Sequence, residues 1–183
     1  MYIRTARCRR QHQASHTATK MQFALRSLFL LCGISVLLSG VWSKPTVIVK
    51  GNNCPIGWTQ LDCYCYIYED EGRSFADAES ICNILGGNLV SIHSALENAF
   101  ILELIRAGNN DDEAWIGLHD AIQNDDFVWT DGSDTEFTNF DVLGSEPDQT
   151  GGCVHMDENA GLWEDALCSD QSPYVCIRDV LHH

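Results

Sequence analysis

The sequence predicts an α+β domain behind a cleavable leader, and three observations carry that prediction. Two stretches of helical spacing stand early, one opening at Ser74 and the other at Ser94; short β-like runs surround and follow them. A long turn-rich segment, His119 to Gly152, then separates them from a buried strand at the end. Seven cysteines spread from Cys54 to Cys176 indicate a disulfide framework over the same span.

The leader comes first. From Met21 the chain reads Met-Gln-Phe-Ala-Leu-Arg-Ser, then an apolar core from Leu28 to Trp42, then Ser43-Lys44-Pro45. A basic start, an apolar middle and a small residue at the end make a secretory signal peptide, with the cut after Ser43. The apolar run falls short of the ~20 residues a spanning helix needs, so no membrane insertion is expected. Residues 1–20 carry Arg4, Arg7, Arg9, Arg10 and Lys20, an odd extension for a secreted protein, which favours Met21 as the start. Residues 1–43 are thus extension plus signal, with the signal at 21–43.

Removing the leader leaves only Lys44, Lys50, Arg73, Arg106 and Arg178 as basic residues, while every Asp and Glu remains. The mature domain is therefore more acidic than the whole-chain charge of -15. Such a surface repels nucleic acid and anionic membranes, and suits a calcium-rich extracellular setting.

Residues 44–53 form a short lead-in in which Thr46-Val47-Ile48-Val49 can be a strand. Trp58 to Tyr68 mixes aromatics with turn residues and reads as a hairpin closed by a local disulfide. The first helix starts at Ser74 with Asp77 as capping partner; Phe75, Ala78, Ile81, Cys82 and Leu85 keep helical spacing, and Gly86-Gly87 ends it. Asn88 to Ile92 is extended. The second helix opens on the capping box Ser94-x-x-Glu97, takes Leu96, Phe100, Ile101, Leu104 and Ile105 as its buried stripe, and stops at Gly108. Within His119–Gly152 the spaced aromatics Phe127, Trp129, Phe137 and Phe140 argue for pinning to a core, although a stretch this long is usually functional or disordered. Tyr174 to Ile177 is a buried strand tied back by Cys176.

The chemistry concentrates between Ser145 and Cys168. Acidic clusters Glu146-Pro147-Asp148 and Trp163-Glu164-Asp165 are each followed by a cysteine, and a Cys153–Cys168 bond would staple them together. Glu146, Asp148, Glu164 and Asp165 would then meet near one point without a basic partner, an arrangement suited to a hard cation. Calcium, which takes 6–8 oxygen ligands in flexible geometry, is the candidate. The competing reading is a solvated acidic loop. A zinc site is weaker, because Cys63-x-Cys65 and the scattered histidines lack paired ligand spacing.

Taken in order, Cys54-Pro-x-Gly57-Trp58, Cys65-Tyr66, Phe75-Ala-Asp-Ala78, Cys82, Gly87-x-Leu89-Val90-Ser91-Ile92, Trp115-Ile-Gly-Leu118, Cys153, Trp163 and Cys176 resemble the C-type lectin domain. The resemblance covers 54–178, leaving 179–183 as a tail. It is most similar to small secreted fish lectins of the ladderlectin and nattectin type, with fish antifreeze proteins close by. It implies a C-type lectin-like fold, two helices packed on short antiparallel sheets with a long disulfide-stapled loop region. It also implies the bonds Cys54–Cys65, Cys82–Cys176 and Cys153–Cys168, leaving Cys63 either for an interchain bridge in a disulfide-linked homodimer or to compete with Cys65 for Cys54.

The resemblance implies one calcium ion held by Glu146, Asp148, Glu164 and Asp165, with sugar hydroxyls placed on the metal and bonded by Glu146, Asp148, Gln149, Glu164 and Asp165. Three departures bear on that chemistry. The triplet Glu-Pro-Asp is a hybrid of the family's Glu-Pro-Asn (mannose-type) and Gln-Pro-Asp (galactose-type) forms. Glu164 replaces an asparagine, and Gly151 stands where the family has a further glutamate. Ionised carboxylates only accept hydrogen bonds, so the lost amides remove donors to sugar. For the family's second calcium position Asp120 fits, but Asn124 and Gln149 replace acids, and Asp125 and Asp126 read as a solvated turn.

Trp115, Trp129 and Trp163 are expected as core anchors, and His93, His119 and His155 as surface or hydrogen-bonded residues. Ser91 and Ser94 lack a nucleophile elbow, and no enzyme is expected. The function implied is a secreted calcium-dependent carbohydrate-binding protein in innate recognition of glycans. The alternative is a sugar-independent binder of ice, mineral or protein on the same scaffold, with Thr135, Thr138, Asn139 and Thr150 as the residues an ice face would use.

Overall fold

A computed structural model describes residues 53–108, 113–149 and 151–180. The expected leader, the strand at Thr46–Val49 and the tail beyond Val180 lie outside the described residues. β1 (Thr59–Leu61) and β2 (Tyr64–Arg73) make the expected hairpin, with Leu61 opposite Tyr64. Asp62 at its tip adopts φ 53°, a left-handed conformation that Asp tolerates in tight turns. Cys54–Cys65 ties the preceding segment to β2.

α1 (Phe75–Ile84) follows, capped by Ser74, whose side chain accepts from the Asp77 amide, and it buries Phe75, Ala78 and Cys82. Cys82–Cys176 spans a sequence separation of 94 and fastens this helix to the last strand. In the chain-entropy model so long a loop contributes ~4–5 kcal/mol. Gly87 is needed where the chain leaves the helix, since a Cβ there would meet the Ile177 carbonyl oxygen at 1.9 Å. β3 (Asn88–Leu89) then runs beside that last strand, and Glu79 of α1 accepts from the Leu89 amide at 2.7 Å.

α2 (Ala95–Arg106) is capped as expected: Ser94 accepts from the Glu97 amide, and Glu97 reaches back to the His93 amide. Its buried face departs from the expected stripe. Leu96 is 64% exposed, whereas Asn98 is buried with Ile101 and Ile105. The reason is that Asn98 is fully used: its Nδ2 donates to the Gly161 carbonyl at 2.9 Å, and its Oδ1 accepts from the Trp163 indole at 2.8 Å. A buried amide whose hydrogen bonds are made costs little, so it can displace a leucine from the interface.

The remaining strands are β4 (Ala114–His119), β5 (Val128–Trp129), β6 (Cys153–Met156), β7 (Trp163–Ala166) and β8 (Ser172–Asp179). Instead of separate short antiparallel sheets there is one eight-stranded sheet in the order β1-β2-β8-β4-β6-β7, with β3 on β8 and β5 on β4. β8 joins the halves: it pairs antiparallel with β2 and β3 and parallel with β4, and its Pro173–Ile177 run is buried. Two core clusters result, one around α2 with Val90, Ile116, Val154 and Trp163, the other around α1 with Leu89, Trp115, Tyr174 and the Cys82–Cys176 bond.

Between β4 and β6 the long segment is held by rings. Trp129, Phe137 and Phe140 each place their rings within 5.8 Å of the Trp163 ring, edge to face, and Phe127 packs on Phe140. Trp115, Trp129 and Trp163 are all buried, as core anchors should be. Cys153–Cys168 closes the β6–β7 unit. Cys63 is also disulfide-bonded, so it is not the leftover thiol of the sequence-based expectation.

Candidate cation and ligand site

β7 builds the site. Its neighbour β6 fixes the register, with Val154 opposite Asp165 and His155 opposite Glu164. Successive strand residues point to opposite faces, so Glu164 and Asp165 cannot share one. Asp165 lies on the same face as the buried Trp163 and is only 7% exposed. It reaches the loop 140–151, which is strapped to β7 at both ends: the Asp141 amide donates to the Trp163 carbonyl, and the Gly152 amide to the Ala166 carbonyl. Inside that strap Asp165 Oδ1 accepts from the Asp148 amide at 2.6 Å, and Oδ2 from the Gly151 amide at 2.9 Å.

Glu146, Asp148 and Asp165 are thereby brought together, with one carboxylate oxygen of each within 4.8 Å of the others. The Glu146–Pro147 peptide is cis. Glu164 stands apart from this trio. Its carboxylate groups instead with Glu113 and His155, on the face set by the β7 alternation. The sequence therefore predicts four converging carboxylates, and the structure joins three.

The electrostatics follow from that crowding. Burial raises the Glu146 carboxyl above its usual range, and its hydrogen bond with Asp165 raises it further. Burial would raise Asp165 too, but the Gly151 amide, the Glu146 carboxyl and the Asp148 and Gln149 amides outweigh it and hold Asp165 below its usual range. Burial, then Glu113, pushes Glu164 upward. Three carboxylates meeting within 4.8 Å form a donor set that fits a hard cation. Among the described residues the cations are Arg73, Arg106 and Arg178, and they engage Glu71, Glu103 and the Leu85 carbonyl respectively. None of those three partners belongs to the trio. Glu146, Asp148 and Asp165 supply hard oxygens of the kind calcium takes, with Asp148 exposed at the surface.

Gln149 does not turn inward as a sugar donor. Its Nε2 donates to the Asp125 carboxylate at 3.1 Å. Asp120 is buried and spends Oδ2 on the Asp125 amide at 2.8 Å, closing the turn that carries the exposed Asp125 and Asp126. Gly151 has no room for the missing glutamate, because a Cβ there would meet the Ala166 carbonyl oxygen at 1.9 Å.

His155 is 7% exposed, pairs with Glu113 and packs its ring edge-on against Trp115. Burial lowers the His119 imidazole below its usual value. His93 Nε2 lies 3.1 Å from Ser133 Oγ, a pairing that the sequence spacing concealed. The order is wrong for a catalytic triad, since Asp131 accepts from Ser133 and Ser91 hydroxyls and so braces the serines.

Among the described residues, two helices against one mixed sheet, three disulfides and a long ring-pinned loop over an acidic trio define a C-type lectin fold. Residues 71–178 match the family model of the lectin C-type domain, and the chain belongs to that family. Human lithostathine-1-alpha is 33% identical over 128 residues, covering 68% of this chain and 77% of the relative. Ladderlectin of Oncorhynchus mykiss is 33% identical over 127 residues, covering 67% and 66%. The structure of herring type II antifreeze protein superposes with a TM-score of 0.63 at 27% identity, covering 70% of this chain and 100% of that one. The family is one of binding domains, and the chain is not an enzyme. No helix among the described residues is long and apolar enough to cross a membrane.

Proposed function

We propose that this chain is a secreted, calcium-dependent carbohydrate-binding protein acting in innate recognition of glycans. The observation that carries the reading is the trio Glu146, Asp148 and Asp165, held together by the strapped loop with Asp148 open to solvent. These residues would hold one calcium ion, and the ion would supply open coordination positions for sugar hydroxyls. Glu164 is left out of the ligand set because β7 turns it to the other face.

The protein's own side chains at this site are acceptors, and Gln149, the nearest amide, is engaged by Asp125. Each sugar hydrogen bond left without its donor costs about 1–3 kcal/mol, so a single site binds weakly and linked sites supply the affinity. A disulfide-linked homodimer is one route to such linkage. Non-reducing electrophoresis of the processed protein should show twice the chain mass; a single-chain band refutes the dimer.

A glycan array with and without chelator tests the central reading. Signals abolished by EDTA and restored by calcium support it, and a blank array at millimolar calcium overturns it. The second reading is a sugar-independent binder, favoured by the missing donors and by likeness to an antifreeze protein. Within it, ice is disfavoured, because Asn139 donates to the Gly161 carbonyl and is spent on the fold. Only Thr135 and Thr138 of the described candidates are exposed.

A further inference from the structure

The strand alternation that withdraws Glu164 from the acidic trio delivers it to a second cluster. Glu113, at the threshold of β4, His155 of β6 and Glu164 of β7 each offer a ligand atom within 4.8 Å of the others. The register explains the meeting: His155 lies opposite both Trp115 and Glu164, and Glu113 is two residues before Trp115 on the same face. His155 is over nine-tenths buried. Its Nδ1 is 2.7 Å from Glu113 Oε2, yet no partner satisfies it with hydrogen-bond geometry, and it points into the two carboxylates. The Trp115 ring closes the other side of the imidazole at 5.6 Å.

We propose that Glu113, His155 and Glu164 form a binding site for a zinc-class transition-metal ion, separate from the calcium trio. An imidazole nitrogen between two carboxylates is a mixed nitrogen and oxygen set, which suits zinc and its neighbours, whereas calcium takes oxygen. Ligand atoms about 2.0–2.2 Å from a tetrahedral zinc stand about 3.3–3.6 Å apart; here all three lie within 4.8 Å of one another and one pair is at 2.7 Å, so small side-chain rotations complete the set. Three protein ligands leave the fourth position for water on the side of the exposed Glu113.

The test is zinc titration of the processed protein with calcium saturating, followed by calorimetry and, with cobalt, by visible absorption. One ion per chain is expected, weakened at least tenfold by Glu113→Gln and by Glu164→Gln. Binding should survive Asp148→Asn, which belongs to the other cluster, and His182→Ala with His183→Ala. Glu113 is exposed, so its variant folds even if a change at His155 does not. No zinc binding, or binding that persists in both glutamine variants or disappears with the terminal histidines, overturns the proposal. His155 would then serve only as a charge partner for Glu113.

Discussion

Replacing Asp165 by asparagine separates the loop's architecture from its metal chemistry. The carboxylate accepts from the Asp148 amide with one oxygen and from the Gly151 amide with the other. Asparagine keeps one acceptor and sets an NH2 group against the second amide, so one charge-assisted bond is lost outright. At this burial that loss is about 1.5–3 kcal/mol. For a domain of this size, roughly 3 °C per kcal/mol predicts a fall in Tm of about 5–9 °C. The deficit should appear in EDTA at pH 7, because it arises from backbone amides and needs no metal. Asp165 titrates below its usual value in the fold, so its stabilisation is present above the unfolded carboxyl range and is lost as pH falls through the lower folded value. The wild type and Asp165→Asn curves should therefore converge in strong acid. Calorimetric melting between pH 2 and pH 7 reads both effects. A variant that melts within 1 °C of wild type in EDTA at neutral pH would refute the claim that Asp165 organises the loop.

Calcium should raise Tm more at pH 7 than at pH 5. Glu146 is raised above its usual range, so protons compete with the ion as pH falls toward that value, and an ion at 100 times its Kd adds about 2.7 kcal/mol when the site is ionised. Equal calcium-induced shifts at both pH values contradict this. Asn98→Ala leaves the buried Trp163 indole without its acceptor, while the Gly161 carbonyl keeps the Asn139 amide, costing about 1–3 kcal/mol, read by denaturant midpoint. A change under 0.5 kcal/mol shows that water replaces the amide. Leu96→Ala, at an exposed position, should leave stability nearly unchanged by the same measurement.

Much of the frame was legible because its signals are local. Ser74 and Ser94 mark helix starts through their side chains, Gly87 marks a contact no Cβ can enter, and Trp163 and its ring partners declare a pinned segment. The site was legible only in part. Glu164 and Asp165 are neighbours in the chain and so look like one cluster, but a strand sends neighbours apart. Counting from Trp163, a core residue, would have separated them, since Asp165 shares its face and Glu164 does not. Leu96 was misplaced because periodicity weighs apolarity alone and cannot see that Asn98 has two partners more than sixty residues away. His155 was hidden for a similar reason: β6 is buried along its whole length, so its Cys-Val-His-Met run carries no alternation to read.

The backbone of Gly151, pressed on the Ala166 carbonyl, sets a ceiling on the valence of the acidic trio. A further oxygen ligand cannot be acquired there by a point change, since any side chain collides with the main chain of β7 before it could reach a bound ion. The coordination sphere of the proposed calcium ion would be finished by water, by backbone oxygen or by the ligand itself. Substitutions at Asp148, at the exposed rim, can still retune what is bound. A richer protein cage would require a longer loop, so at this corner of the fold the route to a new specificity runs through insertion.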